Sequence, residues 1–323
     1  MSTPLISVVI PCYNAAPFLS DCIKSIDRAA KGHDVEIICV DDGSTDETAA
    51  ICRDLKQSFP AMNVISQPNG GPSGARATGV KHSRGQWIMF VDADDTLPAN
   101  AVSDLIGVPD IERYDIVVGN KKGNSDESKV LDIEDYRKGV LRKKVPPYPW
   151  GKLFRRSLFD DDVFDLPREL IHGEDLIMNV RLAFNSSRPV FVTKKKVYDY
   201  NFVASSLSHT FKYTTDYEQI FDRELKRSIK SENPEYMHIL VRMRIKAWKR
   251  INRFLISTRR NRDTDFYRDL CADIRKSAYR LDISERCNVY GNDVFTRSLI
   301  IIFEHLPHHL QKKIKALRAP KNQ

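Results

Sequence analysis

Three stretches of the chain place acidic residues directly after apolar runs, and this pattern constrains the fold more than any other feature. They are residues 40–48 (VDDGSTDET), 90–95 (FVDADD) and 172–176 (HGEDL). The middle stretch follows the β-formers of residues 86–91 and precedes the breaker Pro98. It therefore predicts two or three carboxylates at the C-terminal end of a buried strand, the edge at which open α/β sheets bind their ligands.

Strand and helix signals alternate through the first half of the chain, which favours βα units around a largely parallel sheet. The predicted strands are residues 6–11, 35–40, 62–66, 86–91 and 115–119. Residues 69–72 (NGGP) form a turn signal that leads into a helix. Ser44 and Glu47 form a capping-box pattern ahead of another helix.

The alternation is weaker beyond Asn120. Residues 121–129 predict a polar loop, residues 150–159 and 174–184 amphipathic helices, and residues 189–193 and 196–201 short strands. After Thr215 the apolar spacing predicts helices at residues 217–230, 234–257 and 264–281. We therefore predict a first domain over residues 1–215 and a basic helical region over residues 216–323.

Composition favours a cytoplasmic protein. The 323 residues are 41% hydrophobic and 29% charged, as in soluble globular proteins. The six cysteines form no C-x-x-C pair and several lie in apolar patterns, which favours reduced core thiols. The N-terminus lacks a basic leader, and no uninterrupted apolar run is long enough to span a bilayer.

The net charge of +8 is unevenly placed. From Asp222 onward there are 24 Lys and Arg residues against 12 Asp and Glu residues. These basic helices form a solvated surface, or they attract the protein to an anionic membrane face or to lipid-linked substrates. Nucleic-acid binding is disfavoured, because the region shows no recognised motif and its acidic residues are interspersed.

Four segments carry a family resemblance through their order and spacing. They are SVVIPCYNAAPFLSDCIKSI, EIICVDDGSTDET, NGGPSGARATGVKHSRGQWIMFVDADD and GED. Over residues 5–211 the chain resembles the inverting, family 2 type glycosyltransferases of the GT-A fold, in the branch that builds bacterial lipopolysaccharide, capsule or exopolysaccharide. The resemblance implies a Rossmann-like α/β fold, a nucleotide-sugar donor, most often UDP-linked, and a saccharide or lipid-linked acceptor.

The first two segments hold candidates for binding the nucleotide. Pro11, Tyr13 and Asn14 lie where the first strand opens into a loop, so they could wall the uracil and ribose. Asp42 matches the family carboxylate that hydrogen-bonds the nucleobase, and Asp41 lies beside it. The alternative for this acidic stretch is an ordinary turn that caps a helix.

The third segment supplies candidates for the diphosphate. Asn69, Gly70 and Gly74 allow the main chain to approach a ligand closely, and Arg76 offers a fixed cation. The alternative is that Arg76 pairs with the carboxylates of residues 92–94 and only holds their loop.

By resemblance, Asp92 and Ala93 contact the ribose and donor sugar, while Asp94 binds a metal ion. Hard oxygen ligands of this kind suit Mn²⁺ or Mg²⁺. Asp95 is a second ligand or a helix N-cap. His209, in a segment that resembles the loop closing over the donor, could reach the metal or the diphosphate, although a lone histidine is more often structural.

The fourth segment carries the candidate base. In the resembling enzymes the aspartate of the E-D pair, here Asp175, deprotonates the acceptor hydroxyl, and Glu174 is the fallback. The alternative is that both residues only favour the first turn of a helix through its dipole.

Trp150 and Lys152 resemble a segment near the acceptor subsite. Trp150 could stack on a sugar ring and Lys152 could meet phosphate, but a tryptophan in this setting is as often a core anchor.

Two other readings compete with sugar transfer. Sugar nucleotidyltransferases share a related topology, but they usually carry an early G-x-G-T-R-type loop where this chain has SVVIPCYN. A degenerate scaffold is disfavoured because Asp42, Asp92, Asp94 and Asp175 are all present. The sequence is compatible with an oligomer and selects no particular sugar.

Overall fold

The computed structural model describes residues 5–120, 127–201, 214–257 and 264–282, together with residues 285, 286, 289, 307 and 310. The chain divides into two compact units, one of residues 1–212 and 220–230 and one of residues 213–219 and 231–323. Helix Thr215–Arg227 contributes to both units, so no single residue separates them.

The first unit is built on an eight-stranded mixed sheet with the strand order β3-β2-β1-β4-β7-β5-β8-β6. The strands are β1 Ile6–Cys12, β2 Val35–Asp41, β3 Met62–Ser66, β4 Trp87–Phe90, β5 Ile116–Asn120, β6 Lys129–Leu131, β7 Lys152–Arg155 and β8 Val190–Lys196. Only β6 and β7 run against the other strands. The predicted, mostly parallel α/β sheet is therefore confirmed.

Helices connect these strands. They are α1 Leu19–Ala30, α2 Thr48–Ser58, α3 Gly71–Lys81, α4 Ala101–Ile106, α5 Ile133–Leu141 and α6 Glu174–Asn185, with short 3-10 turns at Ile111–Arg113 and Arg156–Leu158. Three more helices follow, α7 Thr215–Arg227, α8 Pro234–Ser257 and α9 Asp265–Lys276. The predicted helical C-terminal region is present.

The parallel strands form where apolar runs are covered on both faces. Every residue of β2 is buried, as is nearly all of β1, which explains why their sequences do not alternate. Helix α3 lies close on β1, since a Cβ atom added at Gly79 would come within 2.3 Å of Val9 Cγ1. This close approach sets the position of α3, the helix that carries Arg76.

The prediction of a helix at residues 150–159 was wrong. Residues 152–155 instead form β7, which pairs antiparallel with both β4 and β5. The apolar Leu153 and Phe154 are fully buried between these neighbours. Tertiary strand pairing therefore decides the conformation of this segment, and local apolar spacing does not.

The predicted capping box and second short strand are also wrong. The Ser44 hydroxyl accepts a hydrogen bond from the Asn14 main chain, and α2 begins at Thr48, where Asp46 accepts from the Thr48 N–H. Strand β8 already ends at Lys196, and Asp199 forms only an isolated bridge with Thr96. In the loop predicted at 121–129, residues 121–126 lie outside the described residues.

In the second unit, α8 and α9 share a core around Trp248, with Ile245, Phe266 and Leu270 buried beside it. Arg244 and Asp273 form a buried ion pair between these helices. Within the described residues, no helix combines the length and apolar character needed to cross a membrane. The five cysteines described are buried free thiols.

Candidate active site

The loops that follow β1, β2 and β4 open at the same edge of the sheet, because these three strands are adjacent and parallel. The register pairs Cys12 with Asp41, so the first two loops start side by side. The Asp92–Asp95 residues follow the end of β4. The structure therefore brings the nucleotide and metal candidates to the ligand-binding edge that the sequence predicts.

Asn14 joins the first two loops. It adopts a left-handed conformation with φ of 49°, and its Oδ1 atom accepts a 2.9 Å hydrogen bond from the Thr45 N–H. Its own N–H donates to the Ser44 hydroxyl at 3.1 Å. Beside it, Tyr13 is 53% exposed, while Pro11 is half-buried. Asn14 thus fixes the loop, and the aromatic ring of Tyr13 is exposed beside it.

Asp41 and Asp42 are both buried and both shape loops. Asp41 accepts a 3.1 Å hydrogen bond from the Ser44 N–H. The Asp42 Oδ1 atom accepts from Gln67 Nε2 at 2.7 Å and from the Gly70 N–H at 2.8 Å. Asp42 therefore links the second loop to the start of α3, through one of its two carboxylate oxygens.

The start of α3 is open on its outer side. A Cβ atom at Gly74 would meet only Gln67 Nε2, at 3.9 Å. Gly70 precedes the helix, and Asn69 is exposed and accepts a hydrogen bond from Arg168 through its carbonyl oxygen. Space for a close ligand approach therefore exists at Gly74.

Arg76 connects the Asp92–Asp95 loop to Asp175, the candidate base. Its buried guanidinium donates from Nη2 to Asp92 Oδ1 at 3.0 Å and from Nη1 to Asp175 Oδ1 at 2.8 Å. Burial opposes the charge, but the carboxylates of Asp175, Asp92 and Glu174 outweigh it and raise the pKa of Arg76. Arg76 is thus a permanent cation held between the Asp92 loop and the first turn of α6. The predicted pairing with Asp92 is observed, and its link to Asp175 was not anticipated.

Asp175 and Glu174 open α6 after Gly173, which adopts φ of 77°. Burial raises the pKa of Asp175, although Arg76 and Lys152 pull it down. Burial and Asp175 raise the pKa of Glu174 to about 7. Raised carboxylate pKa values are typical of groups that exchange protons near neutral pH. Either residue has the raised pKa that suits a general base. Asp175 is the one that Arg76 links to Asp92.

Asp92, Ala93 and Asp94 form the loop after β4. Ala93 is buried, while Asp92 and Asp94 are half-buried. Burial and the neighbouring Asp92 raise the pKa of Asp94, a shift that a bound cation would reverse. The Asp94 carboxylate has no side-chain partner in the part of the chain that the structure describes.

Asp95 does not cap a helix, because α4 begins at Ala101 after Asn100. It is buried, and both of its oxygens are occupied. Oδ2 accepts from the Tyr198 hydroxyl at 2.7 Å and Oδ1 from the Asn201 N–H at 2.7 Å. The position of Asp95 as a second metal ligand is disfavoured by these bonds.

The oxygen ligands that this loop offers are few for a divalent cation. Within the described residues, no group of three or more His, Cys, Asp and Glu side chains is arranged to hold a metal ion. Mg²⁺ beside a nucleotide, however, uses one or two carboxylates and completes its shell with waters and phosphates. Asp94, with Asp92 beside it, fits this smaller requirement. His209, the other predicted ligand, lies outside the described residues.

The two acceptor candidates occupy the interior. Trp150 is 6% exposed and stacks on Tyr148, with 3.5 Å between centroids, and on Tyr198, with 4.4 Å. Two parallel rings this close must lie on opposite faces of the indole, so the predicted stacking of Trp150 on a sugar does not fit. It is the core anchor of the alternative interpretation.

Lys152 is fully buried, and its predicted contact with a phosphate does not fit this position. Its ammonium donates to the Pro146 carbonyl at 2.6 Å and to Asn179 Oδ1 at 2.7 Å. Burial lowers the pKa of Lys152 to about 7, and Asp175 acts against that shift. Asn179 in turn donates to the Asp175 carbonyl at 2.8 Å. Lys152 is therefore linked through Asn179 to the main chain of Asp175, the candidate base.

Three residues of this site were missed at the level of sequence. Asn179 follows Asp175 by one helical turn, a spacing that places both on one face. Tyr198 and Asn201 lie in YDYN, where aromatic and polar residues follow a strand. Only the Asn179 spacing gave a signal that could have been used.

Comparison with known proteins places the chain. The glycosyl transferase family 2 model matches residues 7–161. Glycosyltransferase EpsJ of Bacillus subtilis strain 168 is 30% identical over 249 residues, which cover 73% of this chain and 70% of EpsJ. The chain belongs to glycosyl transferase family 2.

Solved structures confirm the GT-A fold of this family 2 glycosyltransferase. A crystal structure of Staphylococcus aureus TarS residues 1–349, in complex with UDP-GlcNAc, superposes with a TM-score of 0.69 at 19% identity. The match covers 92% of this chain and 88% of that one.

Longer relatives contain more than this chain does. The poly(ribitol-phosphate) β-glucosyltransferase of Bacillus spizizenii is 29% identical over 212 residues, which cover 61% of this chain but only 32% of that enzyme. The chain therefore matches about a third of that relative's length.

Proposed function

We propose that this family 2 glycosyltransferase moves a sugar from a UDP-linked donor to a hydroxyl of a saccharide or lipid-linked saccharide, with inversion at the anomeric carbon. The arrangement that carries the proposal is the Arg76 guanidinium, which holds Asp175 and Asp92 together. A base for the acceptor and a carboxylate for the donor are thereby kept at one point. The names of TarS, crystallised with UDP-GlcNAc, and of the poly(ribitol-phosphate) β-glucosyltransferase support a nucleotide-sugar donor and a cell-surface polymer acceptor.

Asp175 serves as the general base in this proposal. Arg76 occupies its Oδ1 atom, and no hydrogen bond from the described residues reaches Oδ2, which can take the acceptor proton. The acceptor oxygen forms a bond to the anomeric carbon as the bond from that carbon to the diphosphate breaks. The electron pair leaves with UDP, and the proton moves to Asp175. One displacement inverts the anomeric carbon without a covalent enzyme intermediate.

The nucleotide would lie against the loops of the first two strands. Tyr13 offers an exposed ring on which the nucleobase can stack. Asp42 uses one carboxylate oxygen for its bonds to Gln67 and Gly70, so the other oxygen can accept a hydrogen bond from the nucleobase. The open side of Gly74 allows the diphosphate to approach the start of α3. Backbone N–H groups and the dipole at a helix N-terminus favour an anion there.

A divalent cation, Mn²⁺ or Mg²⁺, would be held by Asp94 with Asp92 beside it. When bound, it supplies positive charge that offsets the charge developing on the departing UDP. The pKa of Asp94, raised by burial and by Asp92, supports a need for that charge.

The basic region from Asp222 onward would bring the enzyme to a lipid-linked acceptor on the inner face of the plasma membrane. Each Lys or Arg near an anionic lipid surface contributes about 1 kcal/mol to membrane binding. Co-sedimentation with phosphatidylglycerol vesicles at low salt, and release at high salt, is the expected result. Equal sedimentation with neutral vesicles would contradict it.

The decisive experiment measures binding and hydrolysis of UDP-, GDP-, CMP- and dTDP-sugars in Mn²⁺, Mg²⁺ or EDTA. We expect one UDP-sugar to bind with metal. The Asp94→Ala variant should lose this metal-dependent binding of the UDP-sugar. The Asp175→Asn variant should keep donor binding and lose transfer by about 10²- to 10⁴-fold, the usual contribution of a general base. Asp54→Asn, an exposed change on α2, is the matched control.

Failure of every nucleotide to bind, with or without metal, would contradict the proposed function and leave a scaffold. Formation of a nucleotide sugar from a sugar phosphate would instead indicate a nucleotidyltransferase. A product whose linkage keeps the donor anomer would contradict inversion alone.

A further inference from the structure

A buried polar network holds the main chain of the Asp92–Asp95 loop against residues 198–201. The Tyr198 hydroxyl accepts a 3.1 Å hydrogen bond from the Asp92 N–H and donates to Asp95 Oδ2 at 2.7 Å. One hydroxyl is therefore both acceptor and donor to two residues of the same loop. Such a bond pair fixes the loop in orientation as well as in distance.

Asn201 also binds this loop. Its main-chain N–H donates to Asp95 Oδ1 at 2.7 Å, and its side-chain amide donates to the Asp94 carbonyl at 2.8 Å. Thr96 and Asp199 exchange two main-chain hydrogen bonds of 3.2 and 3.0 Å. The segment therefore contacts the loop at every residue from Asp94 to Thr96, and none of these bonds involves the Asp94 carboxylate.

The ring of Tyr198 is itself immobilised. It is fully buried and stacks on Trp150, with 4.4 Å between centroids and 12° between planes. Trp150 is held on its other face by Tyr148. Burial and stacking restrict the orientation of the ring, so the Tyr198 hydroxyl is a fixed hydrogen-bonding group for the loop.

The bonds are specific and are not a general property of buried tyrosines here. Tyr136 on α5 is also fully buried, and its hydroxyl has no hydrogen-bond partner among the described residues. Two tyrosines of equal burial thus differ in the hydrogen bonds of their hydroxyls, and only that of Tyr198 bonds the acidic loop.

We propose that Tyr198, Asp95 and Asn201 are positioning residues that fix the main chain of Asp92–Asp94, so that these carboxylates are preorganised for a divalent cation and a diphosphate. The inference rests on the proposed function and deepens it. Groups that orient metal ligands from behind usually contribute 10- to 100-fold in metal affinity. Asp95 is in this view an anchor of the loop and not a ligand.

The test compares the full-length protein with Tyr198→Phe, which keeps the aromatic stack, and with Asn201→Ala, an exposed change. Tyr136→Phe is the matched control. Hydrogen–deuterium exchange of peptides covering residues 90–97 is measured without metal. Mn²⁺ affinity in the presence of UDP is measured by the electron paramagnetic resonance signal of free Mn²⁺, at a temperature where all variants are folded.

We expect Tyr198→Phe and Asn201→Ala to exchange faster at residues 90–97 and to bind Mn²⁺ about 10- to 100-fold more weakly. Tyr136→Phe should match the wild type in both measurements. Unchanged exchange and affinity in both variants, or equal losses in Tyr136→Phe, would overturn the inference. Absence of Mn²⁺ binding by the wild type would overturn the metal site of the proposed function and with it the metal role of this network, whereas wild-type binding with unchanged variants would overturn the positioning role alone.

Discussion

Arg76 and Asp175 are paired across 99 positions of sequence, with 2.8 Å between Nη1 and Oδ1. The same guanidinium reaches Asp92, so one buried cation serves the end of β4 and the start of α6. An ion pair in this setting does more than neutralise charge. It sets the distance between Asp175, the proposed general base, and the Asp92 loop, which is proposed to bind the sugar donor.

Replacement of Arg76 by methionine should destabilise the first unit and shift the pH dependence of transfer. Removal of one partner of a buried ion pair costs about 3–5 kcal/mol, because uncompensated carboxylates remain. Without Arg76 the pKa of Asp175 rises further, so the acidic limb of the pH–rate profile should move to higher pH. Urea unfolding and kcat/KM between pH 5 and 9 measure the two effects.

Arg113→Met is the control, because Arg113 pairs with Asp110 on the surface, where such pairs contribute about 0–1 kcal/mol. Arg76→Lys keeps the charge but cannot span both carboxylates. It should therefore restore more of the stability lost in Arg76→Met than of the activity, which depends on the spacing of Asp175 and Asp92. Equal small losses for Arg76→Met and Arg113→Met would contradict a central role for this pair.

The sequence predicted the sheet more completely than the site. The strands β1 and β2 follow from continuous apolar runs, whose conformation is decided locally and by burial on both faces. Strand β7 did not follow, because residues 152–155 are extended only through pairing with β4 and β5. That pairing joins segments far apart in the chain, which no local pattern reports.

At the site, motifs indicated which residues converge but not what each one contacts. Asp92 and Asp175 lie together as the serial motifs imply, yet nothing in the spacing of Lys152 indicates a buried ammonium bound to Asn179. Residue type gives the chemistry available, and burial decides whether it faces a ligand. Trp150 and Lys152 show the difference, since both carry suitable chemistry and both face inward.

Glu174 should make the first unit less stable as the pH rises. Its pKa in the folded protein is raised from 4.5 to about 7, so between these values the folded chain keeps a proton that the unfolded chain has lost. The contribution of Glu174 to stability is therefore present below about pH 4.5 and is lost as pH rises through about 7. Glu174→Gln should flatten this dependence and gain about 1–3 kcal/mol at pH 7.5.

Urea unfolding at pH 5.0 and 7.5 measures this difference. Glu169→Gln, an exposed change in the same unit, should leave the dependence as it is in the wild type. A Glu174→Gln variant whose stability falls between these pH values as much as the wild type's would show that other groups cause the loss.

Lys152 should influence the base although it does not contact a ligand. Its charge lowers the pKa of Asp175, so Lys152→Met should move the acidic limb of kcat/KM to higher pH. The effect should be largest below pH 7, because the pKa of Lys152 is itself lowered to about 7 and the ammonium is protonated there. Leaving Asn179 Oδ1 without its donor should cost about 1–3 kcal/mol.

The ratio of rates at pH 6 and pH 8 is the measurement for this variant. Lys24→Met, an exposed change on α1, serves as control. Loss of stability with an unaltered pH profile would assign Lys152 to the core alone.

Gly74 and Gly79 lie on the same helix and should separate donor binding from folding. A methyl group at Gly74 meets only Gln67 Nε2 at 3.9 Å, so Gly74→Ala should gain about 0.5–1 kcal/mol from the better helix former. If the diphosphate approaches this face, the same methyl group crowds it, and an overpacking cost of about 1–3 kcal/mol corresponds to a roughly 5- to 140-fold loss of donor affinity.

Gly79→Ala should behave in the opposite way. Its Cβ atom would lie 2.3 Å from Val9 Cγ1, so α3 must shift from β1 and the unit loses stability. Thermal unfolding and calorimetric titration with a UDP-sugar measure both variants. A Gly74→Ala protein that is more stable and binds the donor as the wild type does would remove Gly74 from the donor site, because the added methyl group would then lie where no ligand atom approaches.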